Sequence, residues 1–373
     1  MRRNLLALAS SLPYQRLADS PTKKHYVNWK LYEPYIESPT PASRGVVEKR
    51  LLNDFCKPNV ILGVGGARGD GQRIREEIGL APFDYSSGRL LAFHRAIWDV
   101  GALLSLEDSS ACILVEKPAD GVKGYHLAVD AKGDSSLSIL LPSPVDALGL
   151  STVSIEVRVR PHSNLNLDVL LFDSNTSPSA VYTSVVLEEE ATLRKVTLAG
   201  RGRMLYVEDS VRLEGRSSRF LSSGLLAAPE GAHIVYNSKA LSIGELTESR
   251  IDVAGYANRG FLVHKGLSRV AGSARGSVAT LRSELTPLSS GSLVYAAPML
   301  EIETSEVKEA GHSTAEAPID EDVVFYLRSR GLTVGEALRI IVKGAYVSAL
   351  STAVGGEWRL SSYLEELLEA LGL

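Results

Sequence analysis

Only two cysteines, Cys56 and Cys112, occur in the 373 residues, with three methionines and two glutamines. The cysteines form no C-x-x-C pair and have no histidine at ligand spacing. The sequence therefore predicts neither a disulfide framework nor a structural zinc site. The shortage of labile side chains fits a thermophilic source. No apolar run approaches the roughly 18 residues of a membrane span. A net charge of -4 supplies no global field for nucleic acid. The opening MRRNLLALASSLPY has the arginines and Ala-Leu-Ala of a signal peptide. Its apolar run, Leu5 to Ala9, is shorter than the roughly 7–15 residues such a segment needs. A short amphipathic helix ended near Pro13 is expected, in a cytoplasmic chain. Catalytic signatures are missing too. The seven histidines are scattered, and neither G-x-S-x-G nor H-E-x-x-H occurs. The expectation is a protein that is not an enzyme.

What is present is globular: 45% apolar and 23% charged residues are enough apolar surface for a core and too little charge for a disordered chain. Three regions are expected, 1–87, 88–318 and 319–373. The first mixes helical patterns with proline-rich joints such as Ser38–Gly45, and helical periodicity predicts helices over Val46–Phe55 and Gln72–Ile78. The second opens with GRLLAFHRAIWDVGALLSL, an amphipathic helix through Trp98 followed by a strand from Ala102. Beyond it, VSIEVRV (Val153–Val159) alternates apolar and polar residues as a strand with one buried face does. LDVLLF, LRKVTLA, MLYVE, AHIVY, SRIDVAG and MLEIE are comparable runs, punctuated by glycines. Hairpin signals such as Asn-Gly are lacking. Many short strands without long helices mean all-β, and sandwich, barrel and β-helix all remain compatible. No sequence repeat chooses among them.

The third region is helical. Asp320 caps a helix that runs to Arg330, with Gly331 at its stop. Thr333 and Glu336 form a capping box for the next helix, lined by Leu338, Ile341, Val342, Ala345 and Ala349. Ser362 and Glu365 form another, with Leu364, Leu367, Leu368 and Leu371 as its stripe. Such stripes need a core or a partner to cover them.

Two enzymatic alternatives have residues behind them. GVGGARGDG (Gly63–Gly71) follows the apolar NVIL and imitates a dinucleotide-binding turn, so a nucleotide-binding enzyme is one alternative. The third glycine of G-x-G-x-x-G would fall at Arg68, however. No acidic partner lies about 20 residues on, and the P-loop lysine is absent. A glycine-rich loop without nucleotide affinity is the expectation. A carbohydrate-active β-helix is the other alternative, using carboxylates such as Glu156, Asp168, Glu208 and Asp209.

The stretch PMLEIETSEVKEAGHSTAEAPIDEDVVFYLRSRGLTVGEALRIIVKGAYVSAL (Pro298–Leu350) resembles the end of the core domain shared by SufB and SufD proteins, the scaffolds of SUF iron–sulfur cluster assembly. Gly88–Glu116 resembles the helix and strand that open that core, and Ser20–Glu33 loosely resembles its aromatic-rich approach. The resemblance implies a right-handed parallel β-helix core with an N-terminal α/β region and a C-terminal helical region. It implies a SufC-like ABC-type ATPase docked on the C-terminal helices, with Phe325, Tyr326, Arg328 and Arg330 as contacts. It also implies pairing with a SufB-like paralogue or with itself, and no nucleic-acid or membrane partner. His312 then stands at the pairing interface as the cluster-assembly and metal-ligand candidate, for a transient iron–sulfur cluster. Imidazole is a borderline ligand suited to iron. SufB-type proteins have a cysteine where this chain has about Ser283, and a glutamate where it has Ser313. The chain therefore resembles SufD more than SufB, or a degenerate member.

Overall fold

The computed structural model describes residues 2–15, 18–19, 25–44, 56–142, 147–172, 176–354 and 361–373. The expected helix Val46–Phe55 lies outside the described residues. The centre of the molecule is a parallel β-solenoid. Its nine-stranded sheet contains β3 (Gln72–Ile74), β4 (Trp98–Glu107), β6 (Val122–Lys132), β8 (Leu150–Val159), β10 (Pro178–Leu187), β12 (Met204–Leu213), β14 (His233–Ser242), β16 (Phe261–Val270) and β18 (Leu293–Ile302), in that spatial order. The ten-stranded sheet runs β2 (Gly66–Gly69), β1 (Val60–Gly63), β5 (Ser110–Val115), β7 (Asp134–Pro142), β9 (Asn164–Phe172), β11 (Thr192–Gly200), β13 (Arg219–Ala228), β15 (Glu248–Ala257), β17 (Val278–Pro287) and β19 (Glu309–Ala315). From β4 onward every pairing between successive coils is parallel.

Alternation explains the core. On β8, Val153, Ile155, Val157 and Val159 point into the lumen and are fully buried. Thr152, Ser154 and Glu156 take the other phase, toward the outer face. Each Val, Leu or Ile so buried contributes about 1.5–3 kcal/mol. The coils differ in length. Pro178 pairs with Met204, 26 residues on, whereas Phe261 pairs with Leu293, 32 on. What does recur is a backbone conformation. At the corner between the two sheets, Asp108, Gly133, His162, Glu190, Ser217, Leu246 and Gly276 all have φ between 45° and 71°. Their N–H groups stack coil on coil: Glu190 donates to the Arg216 carbonyl at 2.9 Å, Ser217 to Glu245 at 2.9 Å and Leu246 to Arg275 at 2.9 Å. Non-glycine residues rarely adopt this region, so the stack holds them there.

Three expectations fail at the N-terminal end. Gln72–Ile78 is not a helix: β3 pairs antiparallel with β4, Gln72 opposite Leu103. Burial against the first coil outweighs the helical periodicity. Gly63–Gly71 is not an open loop. β1 and β2 pair antiparallel through a tight turn, and Gly66 (φ 118°) and Gly69 (φ 101°) supply left-handed backbone. A Cβ on Gly69 would collide with the Asn59 carbonyl. The two cysteines do pair. Cys56 and Cys112 form a disulfide across 56 residues with Cα atoms 6.2 Å apart. Sequence spacing carries no record of that proximity.

Helices dress both outer faces. α1 (Arg2–Ser11), α2 (Glu33–Glu37) and α3 (Arg89–Ile97) belong to the side of the nine-stranded sheet, where Trp29, Tyr32, Leu90 and Phe93 pack on Tyr182, Tyr206 and Val235. β4 begins at Trp98, directly after α3 and earlier than the expected Ala102. On the ten-stranded sheet lie α5 (Val334–Val354) and α6 (Ser361–Leu371), burying Val342, Tyr346, Ala349, Leu364, Leu367, Leu368 and Leu371 against Val196, Leu198, Leu225 and Ala254. The Thr333–Glu336 capping box forms, with Thr333 N–H donating to Glu336 Oε2 at 2.8 Å and Glu336 N–H to Thr333 Oγ1 at 3.3 Å. Glu365, expected in a second box, is held by Arg339 and, at 2.6 Å, by Lys343. Among the described residues no helix is long and apolar enough to cross a membrane.

Candidate functional site

β18 and β19 are the last strands of their sheets, so the solenoid ends there with unpaired edges. Both strands are mostly half-buried or exposed, and Leu293, Met299 and Ile302 are exposed. Register places His312 in a column of lumen positions: Lys195, Ser222, Ile251, Leu281, then His312. The next lumen column ends with Ser283 opposite Thr314. His312 occupies a core position of the stack yet faces solvent, because no further coil among the described residues covers it. An open groove of about 420 Å³ runs beside it, lined by Arg250, Asp252, Arg282, Gly311, His312 and Ser313 among others. Among the described residues, no three His, Cys, Asp or Glu side chains gather closely enough to hold a metal ion.

Behind that end, polar side chains occupy lumen positions. Lys195 is fully buried and donates to Asp209 Oδ2 at 2.6 Å and to Thr197 Oγ1. Tyr236 Oη donates to the same carboxylate oxygen at 2.8 Å. Burial, then the neighbouring Asp209 charge, push the Tyr236 phenol well above its ordinary pKa, so it stays a donor. The Tyr236 ring stacks on His264 with centroids 5.4 Å apart. His264 Nε2 lies 2.8 Å from Ser238 Oγ and Nδ1 3.0 Å from Ser283 Oγ. Burial lowers its pKa to about 3, which keeps the imidazole neutral. Ser283 is thus a fully buried partner of His264. Lys195, Asp209, Tyr236 and His264 were not singled out together from sequence. The signal was available: Lys195 sits in phase with the lumen residues Leu193 and Ala199 of LRKVTLA.

The other candidates are placed individually. Phe325, Tyr326, Arg328 and Arg330 all belong to or abut α4 (Glu321–Ser329) and are all exposed. Phe325 is 71% exposed and Tyr326 55%, and the Arg330 guanidinium lies 5.1 Å from the Tyr326 ring centroid. Val323 adds exposed apolar surface on α4, and Val334, Ile340 and Val347 add it on α5. Asp320 caps α4 by accepting from Asp322 N–H at 2.9 Å, and Gly331 follows with φ 96°.

The four carboxylates of the carbohydrate alternative do not converge. Asp168 is in the ten-stranded sheet, and Asp209 is in the lumen beside Lys195. Glu156 and Glu208 are on the outer side of the nine-stranded sheet. Glu156 accepts from Leu80 N–H at 2.9 Å, and burial raises its pKa. His126 Nε2 lies 3.6 Å from Glu156, and His94 shares Ser154 with His126; burial lowers these histidines to about 4 (His126) and about 3 (His94). The glycine run, for its part, leads into β3 and presents no helix N-terminus to a phosphate.

Comparison with known proteins agrees with this architecture. Residues 115–345 match the profile described as SUF system FeS cluster assembly, SufBD core domain. An iron–sulfur cluster assembly SufBD family protein of Mycobacterium tuberculosis is 25% identical over 288 residues, 70% of this chain and 72% of the relative. One from Mycobacterium bovis has the same identity and coverage. One from Mycobacterium leprae is 29% identical over 182 residues, 44% of either chain. The profile spans more than half of the chain and covers the coils from β6 onward, the open end and α4; the chain belongs to the SufBD family of iron–sulfur cluster assembly proteins.

Proposed function

We propose that this chain is a non-enzymatic scaffold subunit of a SUF-type complex. It docks a SufC-like ATPase through α4 and the start of α5, and pairs with a SufB-like paralogue or with itself through the open end. The observation that supports this reading most is α4. It sits within the family-matched core, yet its aromatic and arginine side chains are outside every core cluster. Exposed aromatics and arginines are the side chains that dominate protein interfaces. ATP hydrolysis by the partner would move the paired scaffolds, and the iron and sulfide collected between them are cargo. His312, with no cluster of ligand side chains around it among the described residues, would contribute one ligand to a site that the pairing subunit completes. The proposed compartment is the cytoplasm; disulfides persist there in hyperthermophiles.

Co-purification with the SufC-like ATPase tests the docking. Phe325→Ala with Arg328→Ala should weaken binding by about 2–4 kcal/mol, the range of hot-spot residues, at unchanged melting temperature. Full-strength binding by this variant would sink the assignment. Deleting residues 319–373 would not test the docking cleanly, because it would uncover the outer face of the ten-stranded sheet. His312→Ala should leave ATPase binding intact and lower cluster absorbance after anaerobic reconstitution of the paired scaffolds.

A further inference from the structure

The two edge strands of the open end are not equally free to pair. In a parallel ladder, successive residues direct their N–H and C=O groups to opposite sides of the strand. Leu293 N–H donates back to the Gly260 carbonyl at 2.9 Å, and Glu303 N–H to that of Val270 at 2.9 Å. The odd-numbered residues of β18 therefore bond toward β16, and the even-numbered ones face off the end of the sheet. Glu309 N–H likewise donates back to the Ser277 carbonyl at 3.4 Å, in register with the Val278–Glu309 pair. The outward residues of β19 are thus Ala310, His312 and Thr314.

β18 is poor in outward donors. Its outward positions are Val294, Ala296, Pro298, Leu300 and Ile302. Pro298, in the middle, has no N–H to give. The Ala296 N–H is already taken: it donates to Glu316 Oε1 at 2.5 Å. Glu316 follows β19, so its carboxylate reaches across the mouth of the lumen from one sheet to the other. An arriving strand would find no donor between Val294 and Leu300 unless it displaced that carboxylate. Proline and charged side chains on an edge are what keep sheets from accepting further strands.

β19 carries neither device. Among the described residues, nothing accepts from the N–H of Ala310, His312 or Thr314. Its one acidic residue, Glu309, stands at the first position and meets Arg250 at 3.4 Å. A second copy running antiparallel along all of β19 would set Glu309 opposite Ala315, so no like charges face each other. Such pairing is isologous, the same edge serving both copies. We propose that a second copy of this chain pairs through β19 alone, strand against strand and antiparallel, and that Pro298 and Glu316 close β18 to strand addition. The proposal rests on the reading of the open end as a pairing surface, and it names the strand that pairs and the two residues that exclude the other. Pairing then continues the ten-stranded sheet across the interface, while the nine-stranded sheet stops at β18.

The test is amide hydrogen exchange on the full-length chain, resolved to single residues, at concentrations below and above the association seen by analytical ultracentrifugation. Pairing should slow exchange by about tenfold or more at Ala310, His312 and Thr314, and leave Val294, Leu300 and Ile302 unchanged. In the unpaired chain, Glu316→Ala should speed exchange at Ala296 by about two- to tenfold, the worth of one hydrogen bond. Pro298→Ala combined with Glu316→Ala should bring β18 into the interface, so that its outward amides become protected on pairing. Protection of β18 in the wild-type pair would overturn the proposal and leave the pairing reading intact. An Ala296 amide indifferent to Glu316→Ala, or a β18 still unprotected in the double variant, would remove the closing role of these residues. Protection of β19 only after a SufB-like paralogue is added would overturn the second copy as the occupant. An open end that pairs with neither would overturn the pairing reading and this proposal with it.

Discussion

The two ends of the solenoid are built differently. At the N-terminal end the parallel stack stops against antiparallel strands: β1 turns back on itself through β2, and β3 runs against β4. Val60, Leu62, Ala67 and Ile74 are buried there, and the disulfide from Cys56 pins the approach to β5. At the C-terminal end β18 and β19 keep the parallel direction, and among the described residues no strand reverses on them. Apolar side chains and His312 are left facing water. An antiparallel strand ends a stack because it cannot continue the coil. A bare parallel edge is a template for another chain, which proteins normally blunt. One end is finished within the chain, and the other has the form of an interface.

The comparison predicts a dry lumen for most of its length. Lys195→Met would leave Asp209 charged and unpaired in that interior, at a cost of about 3–5 kcal/mol. A loss under about 1 kcal/mol in urea unfolding would mean that water enters from the open end. Breaking the finished end comes next. For a loop of 56 residues, Cys56→Ser should lower stability by up to about 4 kcal/mol by chain entropy, measured against the oxidised wild type, and the reduced wild type should match the variant.

Acid sharpens the contrast. His94 and His126 lie toward the finished end and His264 toward the open one. All three have folded pKa values lowered by burial, to about 3, 4 and 3. Unfolded histidine binds a proton below about pH 6.5 and these do not, so stability is full above that pH and falls as pH drops toward 4. By pH 5 each should have cost about 2 kcal/mol. Histidine-to-asparagine variants should flatten the pH profile one residue at a time. A flatter share for His264 than for His94 would place water at the open end. The smallest effect is expected on that end itself: Thr314→Pro on β19 should change monomer stability by less than about 0.5 kcal/mol yet reduce pairing in analytical ultracentrifugation, since proline removes an edge donor.

Much of the fold was legible. Alternation marked the strands, and the Asp320 and Thr333–Glu336 caps marked two helix starts, because these signals are local. The coil repeat was not. It consists of a left-handed backbone corner occupied in turn by Asp108, Gly133, His162, Glu190, Ser217, Leu246 and Gly276, at uneven spacing. A conformation imposed by stacking leaves no common residue type. β3 misled for a related reason: its helical pattern was overruled by pairing with β4. Of the candidate site, Phe325, Tyr326, Arg328 and Arg330 were legible as a group on one helix, and their exposure was not.

Sequence alone determined which residues could be strands, where the last helices begin, and that the glycine run lacks a nucleotide turn's spacing. These depend on neighbours within a few residues. Tertiary structure decided everything that joins distant residues. It brought Cys56 to Cys112, Lys195 to Asp209 and His264 to Ser283, and it left His312 exposed at the end of a lumen column. Those relations follow from how many residues each coil uses, and that number is fixed by the stack as a whole.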